Sequence, residues 1–191
     1  MDTMRWSAGT IGIALVVATV LLAGCASPPP RQTTPGEQTL VLASDDFVPN
    51  GSIPVRFTCD GQGDSPQLRW ENVPAGTRSF ALIMEDPDAP SGTFIHWVLY
   101  NIPGERRAIP SGIASVKELP GGEVQGITSR KTTGYTPPCP PGGTTHRYVF
   151  TIFALDTRLN IDTMMDADTL RKTMEGHIIG TGQLIGTYQR S

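Results

Sequence analysis

Arg147-Tyr148-Val149-Phe150-Thr151-Ile152-Phe153-Ala154-Leu155 is the stretch on which the fold turns. After one charged residue it is apolar at nearly every position and rich in β-branched and aromatic side chains, the pattern of a central strand covered on both faces. Phe80-Ala81-Leu82-Ile83-Met84 reads the same way, inside a strand expected over Ser79 to Met84. Thr39 to Ser44, Val55 to Thr58, Gln67 to Trp70 and Phe94 to Ile102 are β-rich or alternating. Pro49-Asn50-Gly51, Asp60-Gly61-Gln62-Gly63-Asp64 and Pro103-Gly104 punctuate them as turns. One helix is expected near the end, where Leu170, Met174 and Ile178 recur at helical spacing behind Asp166 and Asp168, whose carboxylates suit a helix start. Gly180 and Gly182 weaken or end it. The expected architecture is mainly β, an antiparallel β-sandwich with a C-terminal helix.

The chain has 191 residues, enough for one well-buried domain and short for two. Its 21 glycines and 17 prolines favour turns over long helices. The net charge is −3, and no Lys/Arg-rich run is present to neutralise a phosphate backbone, which argues against nucleic acid as a partner. No internal repeat is visible.

Residues 1–24 read as a lipoprotein signal peptide. Arg5 supplies a basic start, and the apolar run from Ile11 to Ala23 is shorter than the ~20 residues of a membrane span. Leu22-Ala23-Gly24-Cys25 resembles a bacterial lipobox, which makes Cys25 the expected lipidation site. Residues 25–36 then form the acylated cysteine and a Pro/Thr-rich tether, and residues 37–191 the globular domain. Two or more acyl chains anchor stably, at ~0.8 kcal/mol per buried CH₂. The expected location is the bacterial cell envelope, lipid-anchored and extracytoplasmic.

Two loops far apart in sequence read as halves of one pocket. Asp86-Pro87-Asp88-Ala89-Pro90 precedes His96-Trp97, and Pro138-Cys139-Pro140-Pro141-Gly142-Gly143 precedes His146-Arg147-Tyr148. Each is a proline-stiffened loop that delivers a histidine to the start of a strand, with its polar groups held before a ligand arrives. The chain has only three histidines, and His177, on the expected helix, reads as structural. On a strand starting at His146, that imidazole and the Tyr148 phenol share a face and can both donate to one oxyanion. Asp86 can fix an imidazole tautomer or receive a ligand ammonium. Other readings stay open at this point. Two histidines and an aspartate can hold a metal, although no short His-x-His or His-x₃-His spacing supports it. Cys139 with His146 can be nucleophile and base, but an oxidising compartment favours a disulfide between Cys139 and Cys59. A Ser-His-Asp site lacks its Gly-x-Ser-x-Gly elbow.

The ordered set Cys59-Asp60-Gly61, Ser65-Pro66, Asp86-Pro87-Asp88-Ala89-Pro90, His96-Trp97, Gly134-Tyr135, Pro138-Cys139-Pro140-Pro141, His146-Arg147-Tyr148-Val149-Phe150, Ala154-Leu155-Asp156 and Leu184-Ile185-Gly186-Thr187-Tyr188 resembles the phosphatidylethanolamine-binding protein (Raf kinase inhibitor protein) family, in its bacterial branch. The resemblance implies an anion pocket lined by Asp86, His96, the backbone at Cys139 and Pro140, His146 and Tyr148, with Phe94 as an aromatic wall. Two stretches depart from the family pattern: Thr136-Pro137 replaces glycines, and Gly126-Ile127-Thr128-Ser129-Arg130-Lys131 lacks an Asn/Asp-Phe-Gly sequence. Both fall on the expected rim, where they bear on ligand preference more than on fold. The expected function is a non-enzymatic, membrane-tethered binding protein for a small anion such as phosphate or a phospholipid headgroup. No catalytic residue, cofactor or metal is expected. The alternative is a regulatory or inhibitory protein that docks on a partner enzyme through the pocket rim.

Overall fold

The computed structural model describes residues 38–160 and 164–190. The expected signal peptide, Cys25 and the tether lie outside the described residues.

Nine strands and one helix are described: β1 (Gln38–Thr39), β2 (Val41–Ala43), β3 (Leu68–Glu71), β4 (Ser79–Asp86), β5 (Phe94–Pro103), β6 (Ala108–Ile109), β7 (Val124–Gln125), β8 (Thr145–Leu155), α1 (Ala167–Met174) and β9 (Ile178–Gln189). They form a six-stranded sheet, ordered β1-β9-β8-β4-β5-β7, and a three-stranded sheet, ordered β2-β3-β6. The fold is mainly β, as expected, and its long pairings are antiparallel, while β1 adds to β9 in parallel.

Alternation along the central strands builds three layers. Phe80, Leu82 and Met84 face the small sheet, where Leu42, Leu68 and Trp70 meet Tyr148, Phe150 and Ile152. Ala81 and Ile83 face the other way and join Val98, Tyr100, Leu170 and Met174 under the helix. Strand β4 is therefore apolar from Phe80 to Met84, where both faces are covered. In β8 the inward row is fully buried, while Val149, Thr151 and Phe153 on the other face are half-buried.

Two local expectations are corrected. Val55–Phe57 is a 3-10 turn following Pro54, not a strand. The helix stops at Met174, and Ile178 opens β9, a long strand pairing with β8 along its whole length. Asp166 caps the helix by accepting from the Thr169 N–H.

Candidate functional site

The pocket sits where β4 ends and β5 and β8 begin. Across β4 and β5, Met84 faces Trp97 and Glu85 faces Ile95, so His96 is the extra residue of a β-bulge. A bulge re-aims side chains. As a result the neighbours His96 and Trp97 both pack on the inter-sheet side, His96 edge-on to Tyr148 at 5.2 Å and Trp97 edge-on to Tyr135 at 5.6 Å. Simple alternation would have sent them to opposite faces.

Both imidazoles are buried and fixed through Nδ1. The Nδ1–H of His96 donates to the Thr136 carbonyl at 2.8 Å. The Nδ1–H of His146 donates to Asp86 Oδ2 at 2.7 Å. The other oxygen of Asp86 accepts the Asp88 N–H at 2.8 Å. Asp88 in turn holds Arg147 through the backbone N–H, Nε and Nη2, and the guanidinium holds its carboxyl down at about 2. With Nδ1 committed on each ring, Nε2 is the edge left for a ligand.

Burial pushes His96 below the usual histidine value; the Thr136 carbonyl and Asp86 oppose that shift, and the positive charge of Arg130 adds to it. His96 is therefore neutral at pH 7 while the pocket is empty, and its Nε2 is an acceptor until the ring takes up a proton.

The resulting cleft has a volume of about 330 Å³. The expected Asp86, Phe94, His96, Cys139, Pro140 and His146 all line it. Phe94 stands 4.7 Å from the His96 ring, centroid to centroid. Tyr148, also expected here, is fully buried edge-on to His96 and is not among the residues lining the cleft; its hydroxyl lies beside the Cys139 backbone without a well-formed hydrogen bond. Burial and the neighbouring aspartates raise its pKa, so it stays a neutral phenol. Cys59 and Cys139 are joined by a disulfide with Cα atoms 5.4 Å apart, and the Cys59 N–H donates to the Pro138 carbonyl. The proline loop is thereby tied to the segment that follows the 3-10 turn.

Sequence reasoning missed two cations on the wall, Arg130 and Arg190. Arg130 rides on the Thr128–Thr132 turn, closed by the Lys131 N–H to the Thr128 carbonyl with Lys131 in the left-handed region at φ 62. Arg190 follows β9 and pairs with Asp60 at 2.9 Å, and Asp60 also accepts from the Tyr188 hydroxyl. A larger cleft, about 570 Å³, opens on the helix side of the sheet around Glu85, Lys131 and Arg171; it contains none of the expected site residues. Among the described residues, no group of three or more His, Cys, Asp or Glu is arranged to hold a metal ion.

Two packed β-sheets with a cleft walled by histidines at two strand starts and by proline loops define a narrow structural class. The chain belongs to the phosphatidylethanolamine-binding protein family, whose profile matches residues 43–189. A UPF0098 protein of Methanothermobacter thermautotrophicus is 44% identical over 149 residues, 78% of this chain and 98% of that one. Another from Aquifex aeolicus is 41% identical over 157 residues, 81% of this chain and 91% of that one. Among solved structures, a phosphatidylethanolamine-binding protein homologue of Chlamydia trachomatis superposes with TM-score 0.73 at 36% identity, covering 81% of this chain and all of that one. Escherichia coli YbcL, a member of the same family, gives TM-score 0.73 at 29% identity over 80% of this chain and 99% of that one.

Proposed function

We propose that the protein is a membrane-tethered, non-enzymatic binding protein whose pocket takes a small oxyanion such as phosphate. One observation carries the reading: His96 and His146, delivered by two strands, each have Nδ1 committed to a fixed acceptor, which leaves two Nε2 edges facing one proline-walled cleft. Two imidazole edges, each able to donate to an oxyanion when Nε2 carries a proton, and two guanidinium side chains suit phosphate oxygens. Three charge-assisted hydrogen bonds contribute ~1.5–3 kcal/mol each, and association costs ~4 kcal/mol or more. The net is weak binding of a bare headgroup, on the order of millimolar. Cys139 is tied into a disulfide and so is no nucleophile, which supports binding over catalysis. The tether rests on Leu22-Ala23-Gly24-Cys25, which resembles a lipobox.

The test is calorimetric titration of the full chain with inorganic phosphate, for wild type and for His146→Ala. Binding near millimolar that the variant loses supports the proposal. No saturable heat, together with a stable co-purifying protein that phosphate does not displace, would transfer the reading to partner docking through the rim.

A further inference from the structure

We infer that the pocket selects a phosphate monoester with a small apolar tail over zwitterionic phosphoethanolamine, and that Arg130 and Arg190 are the side chains that set this preference. The inference rests on the anion-pocket reading above and concerns which anion is taken.

The carboxylates around the cleft already have partners within the protein. Asp86 spends one oxygen on His146 and the other on the Asp88 N–H. Asp88 is held by Arg147, and Asp60 by Arg190 and the Tyr188 hydroxyl. Five backbone carbonyls of the surrounding loops, those of Ala89, Thr136, Pro138, Pro141 and Arg190, each accept a hydrogen bond within the protein as well. A ligand ammonium entering this cleft leaves water and must share carboxylates that the protein's own donors already hold, which is costly where the pairing is incomplete.

The donors are in the opposite condition. Pro90, Pro137, Pro140 and Pro141 line the cleft and have no N–H to offer, so the wall has few backbone donors and the side chains of His96, His146, Arg130 and Arg190 stand out among its donors. Arg130 takes part in none of the ion pairs among the described residues. Arg190 meets Asp60 through Nε and Nη2, and among the described residues its Nη1 has no partner. Two guanidinium groups on the wall attract a phosphate and repel an ammonium attached to it. The rest of the wall is apolar, with Ala89, Phe94 and the proline rings, and suits an uncharged tail. Arg130 belongs to Gly126–Lys131, one of the two stretches that depart from the family pattern.

A terminal phosphate can come from a soluble monoester or from a lipid that ends in one. The experiment titrates the full chain in detergent with propyl phosphate and with phosphoethanolamine, which differ only by methyl against ammonium. Inorganic phosphate serves as reference. Propyl phosphate is expected to bind about tenfold or more tightly than phosphoethanolamine, the equivalent of ~1.4 kcal/mol. Arg130→Ala and Arg190→Ala are each expected to weaken propyl phosphate by about fivefold and to narrow the ratio, from the loss of a charge-assisted donor at a partly exposed site. Arg69→Ala, which removes the same charge from an exposed ion pair on β3, is expected to change nothing. Dihexanoyl phosphatidic acid distinguishes the sources. Binding much tighter than propyl phosphate supports a lipid monoester, and equal binding supports a soluble one. Phosphoethanolamine binding as tightly as propyl phosphate, or more so, overturns the inference and leaves the anion pocket standing. Failure of all probes, inorganic phosphate included, overturns the pocket reading itself.

Discussion

Replacing Cys59 and Cys139 together by serine tests how the pocket loop is held. The two residues are 80 apart in sequence, with Cα atoms 5.4 Å apart, inside the span a disulfide bridges without backbone movement. In the chain-entropy model a loop of that length gives about 4.5 kcal/mol of stabilisation through the unfolded state. For a domain of this size each kcal/mol moves Tm by ~2–4 °C, so the double variant is expected to melt ~10–15 °C below wild type. It should still fold, because the Cys59 N–H keeps its bond to the Pro138 carbonyl and neither cysteine belongs to the buried core. Phosphate affinity should fall as well, since Cys139 is part of the pocket wall and its loop loses its covalent brace. The assay is differential scanning calorimetry of wild type and variant, with wild type plus reductant as a third arm. A loss of less than about 3 °C in both the variant and the reduced protein, well under the chain-entropy figure, would refute the reasoning. So would two reactive thiols per molecule in unfolded, unreduced wild type after Cys25 is acylated.

Gly126→Ala places a Cβ 2.1 Å from the Met165 carbonyl and 2.7 Å from Val98 Cγ1, and should cost ~1–3 kcal/mol in a urea melt; a neutral result would contradict the packing described. Asp86→Ala strands both the His146 Nδ1–H and the Asp88 N–H, so it should lower stability by ~2 kcal/mol or more and also lower phosphate binding. The unfolded chain protonates His96 more readily than the fold does, because burial lowers its folded value. This histidine's contribution to stability therefore falls as pH drops below ~6.5, and phosphate should offset the fall by favouring the charged ring. That prediction is checked by melts at pH 5 to 8 with and without phosphate; a phosphate effect that grows with pH contradicts it. Cys25→Ser should abolish acyl labelling and release the protein from membranes, without changing the melt of the domain.

The strands that pack by simple alternation were legible in the sequence; the exceptions each have a physical cause. The start of β9, Ile178 to Gly182, reads as the end of a helix because the strand's inward row is Gly180, Gly182, Leu184, Gly186 and Tyr188. Those glycines are where Leu40 and Ile53 press against the backbone: a Cβ on Gly182 would sit 2.5 Å from the Leu40 carbonyl, and one on Gly186 2.6 Å from Ile53 Cγ1. Close packing thus removed the apolar alternation that normally reveals a strand. Missing β9 meant missing Arg190, which that strand carries to the pocket. Val55, Arg56 and Phe57 have β-forming composition, but the preceding Pro54 and a short 3-10 turn won locally. His96 and His146 were found because proline loops precede them, whereas the bulge that turns His96 toward Tyr148 leaves no mark in a single sequence. Arg130 stands alone in a turn, and only the fold brings it near His96.

The central claim, that His96 and His146 jointly hold an oxyanion, is tested most directly by NMR of the three imidazoles during phosphate titration. His177 is an internal control: it is half-exposed, sits against Asp156 at 2.9 Å and lies outside the pocket. The account predicts that the ring resonances of His96 and His146 move together to saturation, that His96 takes up a proton on binding, and that His177 stays in place. Uniform movement of all three rings, or none at His96 and His146, would contradict it.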